Sequence, residues 1–139
     1  MNLTPNFSLF EMSYSATAQA KGINNIPPDC VIPNLKDLCK YVMQPLRNYV
    51  GKPIIITSGY RNAVLNKMVG GVPSSQHCLG MACDFVINGY DLKKAFNYIK
   101  NYLEFDQLLF EYTKNDTKWI HVSYNRNHNR RHAIDNYKA

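Results

Sequence analysis

From Val31 to Tyr49 the apolar residues Leu35, Leu38, Val42, Leu46 and Tyr49 recur at helical spacing. That period predicts a helix with Pro33 in its first turn and a kink or break at Pro45. A second helix is expected over 91–103, where Leu92, Ala95, Phe96, Ile99 and Leu103 fall on one side. Ser8 and Glu11 have capping-box spacing, which predicts a short helix from Leu9 to about Ala20, ended by Gly22. A further short helix over 62–68 is stopped by Gly70-Gly71. The period changes in the β-branched run Ile54-Ile55-Ile56-Thr57, typical of a buried strand, and Met81 to Ile87 suits a second strand. Phe105 to Tyr112 and Trp119 to Tyr124 flank Lys114-Asn115-Asp116-Thr117, the chemistry of a hairpin turn. Residues 24–29, with Pro27-Pro28, and 72–80 are expected loops. The predicted fold class is α+β, with helices packed on a small, mainly antiparallel sheet.

The 139 residues suit one domain, with no repeat or composition break to divide them, and residues 126–139 stand apart as a basic C-terminal tail. A hydrophobic share of 45% excludes wholesale disorder. No apolar run approaches the roughly 20 residues that a membrane span needs. Met1-Asn2-Leu3-Thr4-Pro5 lacks the basic start and apolar stretch of a secretory signal. The expectation is synthesis in the cytoplasm, with any exit by another route such as lysis. Cys30, Cys39, Cys78 and Cys83 form no C-x-x-C pair, which argues against a zinc ribbon or thioredoxin-like motif and for small buried hydrophobes. Net charge is +6, and the tail contributes Arg126, Arg130, Arg131 and Lys138. Such a patch suits an anionic polymer, although a solvated tail has the same composition. No nucleic-acid-binding motif accompanies it, so a nucleic-acid partner ranks low.

The chemistry concentrates in Ser75-Gln76-His77-Cys78-Leu79-Gly80-Met81-Ala82-Cys83-Asp84. Catalytic zinc takes three protein ligands and keeps a position open, and neutral imidazole and carboxylate are suitable donors. Here a His at a loop end precedes an Asp inside a strand. Gly80 lets the backbone turn between them, and Ala82 leaves room on the same strand face. An Asp between Cys83 and Phe85 in an apolar strand needs a partner or a metal to offset its desolvation. His121, in Trp119-Ile120-His121-Val122-Ser123, is the third candidate ligand. If the hairpin turn centres on Asp116, Glu111 lies directly across from His121 on the same face, where a carboxylate can serve as general base. A slip of one residue would point it away. Trp119 is expected as a core or cleft-wall ring, and His128 and His132 as tail residues.

Taken with their neighbours, these words form a longer pattern. It comprises Ser58-Gly59-Tyr60-Arg61, Gly70-Gly71, Ser74-Ser75-Gln76-His77 through Asp84, Phe105-Asp106-Gln107-Leu108-Leu109-Phe110-Glu111 and Trp119-Ile120-His121-Val122-Ser123. It resembles the D-Ala-D-Ala carboxypeptidase superfamily of zinc peptidases, and within it the small, often phage-encoded branch that cuts peptidoglycan. Phe7-Ser8-Leu9-Phe10-Glu11, Ser15-Ala16-Thr17-Ala18, Gly22-Ile23-Asn24-Asn25 and Asn34-Leu35 also look like that branch, so the resemblance covers nearly the whole chain. It implies one zinc ion at the sheet face, held by His77, Asp84 and His121. It implies that Arg61 holds a substrate carboxylate or steadies an oxyanion, and that Ser75 and Gln76 orient substrate or the groups behind the ligands. It implies Glu111 as the catalytic base. In better-studied relatives the acid stands a few residues before the last His. Here that stretch is Thr117-Lys118-Trp119-Ile120, which leaves Asp116 as the second candidate and Asp106 as the third.

The activity so implied is hydrolysis of an amide bond in the peptidoglycan stem peptide or cross-bridge, as a D,D-carboxypeptidase or an endopeptidase. It would act on the wall after lysis or from a virion, with the basic tail on an anionic wall polymer. The alternative from another class is a non-catalytic, zinc-stabilised binding module on the same fold, which the displaced acid keeps in play.

Overall fold

The helical pattern over 31–49 forms one continuous helical path in the computed structural model, which describes residues 1–139. It is not one α-helix. Helix α2 spans Ile32–Leu38, a π-helical segment covers Cys39–Met43, and α3 runs Gln44–Val50. Pro45 explains the change. It has no N–H to donate, and its ring crowds the carbonyl four residues back. The chain answers by widening: the Gln44 N–H reaches the Cys39 carbonyl, five residues away. The expected kink is thus absorbed in a π turn, and Leu35, Leu38, Val42, Met43 and Leu46 all stay buried.

The capping box at Ser8 also behaves differently from expectation. Ser8 N–H and Glu11 Oε1 pair at 3.1 Å, and Glu11 N–H returns to Ser8 Oγ at 3.1 Å. The motif closes only a turn that follows a small ribbon, β1 (Asn2–Thr4) against β2 (Phe7–Ser8). Helix α1 begins later, at Ala16–Lys21, capped by Ser15 and ended by left-handed Gly22. A tertiary contact diverts the backbone: the Met12 carbonyl accepts the Tyr60 N–H at 2.7 Å. Gly59 makes that approach feasible, since a Cβ there would lie 2.1 Å from the same oxygen.

The main sheet has the order β3-β4-β6-β5-β7, from β3 (Ile55–Ser58), β4 (Ala82–Val86), β5 (Gln107–Tyr112), β6 (Lys118–Ser123) and β7 (His132–Lys138). The pairs β3–β4, β4–β6 and β5–β6 are antiparallel; β5–β7 is parallel. Alternation sorts the two faces. Cys83 and Phe85, Leu108 and Phe110, and Ile120 and Val122 turn into one core with α2, α3 and α5 (Leu92–Tyr102). Asp84 and His121 lie on the opposite face. The expected buried strand at 54–57 is instead the edge strand β3, with Ile55 exposed and only Ile54 fully inside.

The basic tail also departs from expectation. Residues 132–138 are strand β7, and the arginines before it are used internally. Arg126 Nε meets Asp37 at 2.7 Å, Arg130 grips Asp106, and Arg131 donates to the carbonyls of Leu103 and Lys100 at the end of α5. Cations at a helix C-terminus complement its exposed carbonyls. An anionic polymer therefore loses most of the free charge expected to hold it. No helix is long and apolar enough to cross a membrane.

Candidate metal centre

Three elements bring the candidate ligands together. Asp84 on β4 and His121 on β6 are direct cross-strand partners, so their side chains rise side by side from one face. Ser58 on β3 is the partner of Asp84 on the other side; a bulge between Ile56 and Ser58 sets that register. His77 arrives from a 3-10 turn, Gln76–Leu79, that α4 (Ala63–Met68) and a long loop lead into. Ser75 starts this turn by accepting the His77 N–H on Oγ at 3.2 Å. Gly80 ends it in the left-handed region at φ 72°. A side chain at Gly80 would lie 2.4 Å from Val31 Cγ1, so both its conformation and its neighbours require glycine.

His77, Asp84 and His121 each offer one ligand atom, and these atoms all lie within 4.8 Å of one another. His77 Nδ1 is 2.8 Å from the Gly59 carbonyl. A carbonyl only accepts, so Nδ1 carries the hydrogen and Nε2 is left as the free donor atom, 3.4 Å from Asp84 Oδ1. His121 Nδ1 stands 2.9 Å from the same Asp84 oxygen. Burial alone would raise the Asp84 carboxyl, but the hydrogen bond from His121 and the close His77 ring outweigh it and hold the group well below the usual carboxylate range. Two imidazoles and an ionised carboxylate, converging from three elements, are the donor set of a catalytic zinc site. The residues present fit the ion.

Arg61 is aimed at this cluster. Its Nε donates to Ser58 Oγ at 3.1 Å, one terminal nitrogen donates to Asn66 Oδ1 at 3.1 Å, and the other lies 3.8 Å from Asp84 Oδ2. Asn66 is buried and donates in turn to the Val72 carbonyl. Asn25, also buried, ties the strand's exit by donating to the Ser13 and Tyr60 carbonyls and accepting the Asn62 N–H. Sequence reasoning passed over Asn25 and Asn66. An asparagine carries no chemistry of its own to betray it, and the one available signal was the place of Asn25 within Gly22-Ile23-Asn24-Asn25 and of Asn66 shortly before Gly70-Gly71.

Among the candidate bases the structure separates the three acids. Asp116 lies in the exposed hairpin turn at φ 62°, 3.6 Å from Lys118 Nζ. Asp106 is buried and bound by Gln76 and Arg130. Glu111 shares the sheet face of His121. The hairpin is offset by two residues from the expected register, pairing Leu109 with His121 and Glu111 with Trp119. An even shift preserves the face, so Glu111 sits diagonally beside His121. Trp119 Nε1 donates to Glu111 Oε2 at 2.9 Å. Burial raises the Glu111 carboxyl above its ordinary value and the charge of Asp84 adds to it, against smaller opposing pulls from His121, Trp119 and Arg61. A carboxylate with a raised pKa beside a metal centre is suited to moving protons near neutrality. Ser75 and Gln76 point to structural partners: the turn's own backbone for Ser75, Asp106 for Gln76.

The family model for Peptidase M15 matches residues 5–123. No curated protein matches the chain.

Proposed function

The chain belongs to the M15 peptidase family of zinc metallopeptidases, and from that premise we propose that it hydrolyses an amide bond in the peptidoglycan stem peptide or cross-bridge. In this reading one zinc ion sits between His77, Asp84 and His121. The observation that carries it is the convergence of those three donors on a sheet face that also presents Glu111 and Arg61. Zinc, when bound, supplies a Lewis acid that polarises the scissile carbonyl and makes a water nucleophile available near neutral pH. Glu111 takes a proton from the attacking water and delivers it to the leaving amine nitrogen. Trp119 holds the carboxylate in place through its indole N–H. Arg61, braced by Ser58 and Asn66, presents its guanidinium to the substrate's carboxylate or to the developing oxyanion. With that substrate the protein would act at the wall, reached after lysis or from a virion.

The test is mass spectrometry of the muropeptides released when zinc-loaded protein is incubated with purified peptidoglycan. New fragments would identify the bond. No release from walls of several chemotypes would overturn the peptidase reading and leave a zinc-stabilised binding module.

Trp119 offers a separate check on the base. Its hydrogen bond favours the ionised form of Glu111. Trp119→Phe removes the bond and raises the Glu111 pKa further, and a base must be ionised to act. The acid limb of the kcat/KM profile, followed over roughly pH 5 to 8, should therefore move to higher pH while the alkaline limb stays. An unmoved acid limb would dissociate Trp119 from the titrating base.

A further inference from the structure

Asp106 precedes β5 and is almost wholly buried, with its side chain 4% exposed. Its carboxylate accepts four hydrogen bonds: from Gln76 Nε2 at 2.8 Å, and from Arg130 through the backbone N–H at 3.0 Å, Nε at 2.8 Å and Nη2 at 3.1 Å. A fork of this kind on one carboxylate fixes geometry as well as charge. Its backbone is also held on both sides, donating to the Ser123 carbonyl and accepting the His132 N–H. Asp106 thus joins the end of β6, the start of β7 and the turn that carries His77.

The consequence for Gln76 is specific. An ionised carboxylate only accepts, so the amide nitrogen must face Asp106, and Gln76 Oε1 makes no hydrogen bond within the chain. The Gln76 backbone carbonyl accepts the N–H groups of Gly80 and Met81. Holding Gln76 therefore holds both ends of the 3-10 turn: the residue before His77, and the entry into β4 that sets Asp84.

We propose that Asp106 and Arg130 are a positioning pair for the metal centre. Together they hold Gln76 and, through it, the turn carrying His77. Arg130 lies beyond residue 123, where the family match ends, so a segment outside the shared region is a working part of the site. The inference rests on the metal-centre reading. Its competitor is that Arg130 only anchors the approach to β7.

Zinc affinity separates the two, because it requires no peptide substrate. On the full chain, zinc dissociation constants are measured by competition with a chromophoric chelator for wild type, Arg130→Gln, Gln76→Ala and the double variant. Arg130 is half-exposed, so its replacement opens no large cavity. Loss of a group that orients ligands weakens metal binding about 10- to 100-fold. Each single variant is expected to weaken zinc by about 10-fold, and the double variant by no more than the weaker-binding single, because both act through one contact chain. Zinc affinity within about twofold of wild type in Arg130→Gln would overturn the proposal whatever happens to the melting temperature, and so would multiplying effects. If Arg130→Gln fails to fold, Arg130→Lys keeps the charge and stem but loses the fork, and unchanged affinity there counts equally against it. A wild type that does not bind zinc takes down the metal-centre reading and this proposal with it. Tight wild-type binding with indifferent variants removes only the positioning pair.

Discussion

Glu111→Gln should leave a folded, zinc-retaining protein that releases muropeptides about 10²- to 10⁴-fold more slowly, the range a general acid–base group supplies. The substitution is nearly isosteric. The amide oxygen can still accept the Trp119 indole N–H, so the side chain keeps its place on the strand. What disappears is the ability to take a proton from water and return it to the amine. Because Glu111 is not among the three clustered donors, metal content should be unaffected. The measurement is fragment release by mass spectrometry, run beside zinc stoichiometry on the same preparation. Retained activity would send the search to a different base. Lost zinc would instead make Glu111 part of the metal's own shell.

Asp84→Ala should have the largest effect on the metal. Asp84 offers one of the three clustered donor atoms and stands against both histidines, at 3.4 Å from His77 and 2.9 Å from His121. It is also the carboxylate nearest the Arg61 guanidinium, at 3.8 Å. Loss of an outer orienting group already weakens metal binding about 10- to 100-fold, so loss of a ligand should exceed about 100-fold. Turnover should fall below detection. A stability readout gives the same answer without substrate. Zinc at about 100 times its dissociation constant should stabilise the wild type by about 2.7 kcal/mol, and the variant should gain almost nothing. A variant that still binds zinc with wild-type affinity would remove Asp84 from the ligand set.

The sequence was informative about the candidate site because the clustered donors sit in short words tied to local geometry. Asp84 amid apolar strand residues, Gly80 at a forced turn and His121 in an alternating strand each carry a physical requirement that survives folding. The hairpin register was legible only in parity. Turn residues 114–117 placed its centre one position late, yet Glu111 kept its face because the resulting offset is even. Other errors came from contacts that no local pattern encodes. The Ser8–Glu11 box formed as written, but the Met12 carbonyl went to Tyr60 instead of continuing a helix. Pro45 promised a break, and a π turn absorbed it. The arginines near the C-terminus looked like free charge because their partners, Asp37, Asp106 and the end of α5, are distant in sequence.

The position of β7 bears on how the molecule breathes. By pairing with β5 it turns the strand of Glu111 from an edge into an interior strand, bonded on both sides, whereas β3, which leads to Arg61, has a neighbour on one side only. Local opening begins where backbone hydrogen bonds face solvent. Amide exchange should therefore be slow along β5 and β6 and faster along β3; uniform protection across the sheet would deny that gradient. Glu111 and His121 would stay fixed through fluctuations that move the segment after β3. His77 would move with that segment, because its ring meets the Gly59 carbonyl and its own carbonyl accepts the Arg61 N–H.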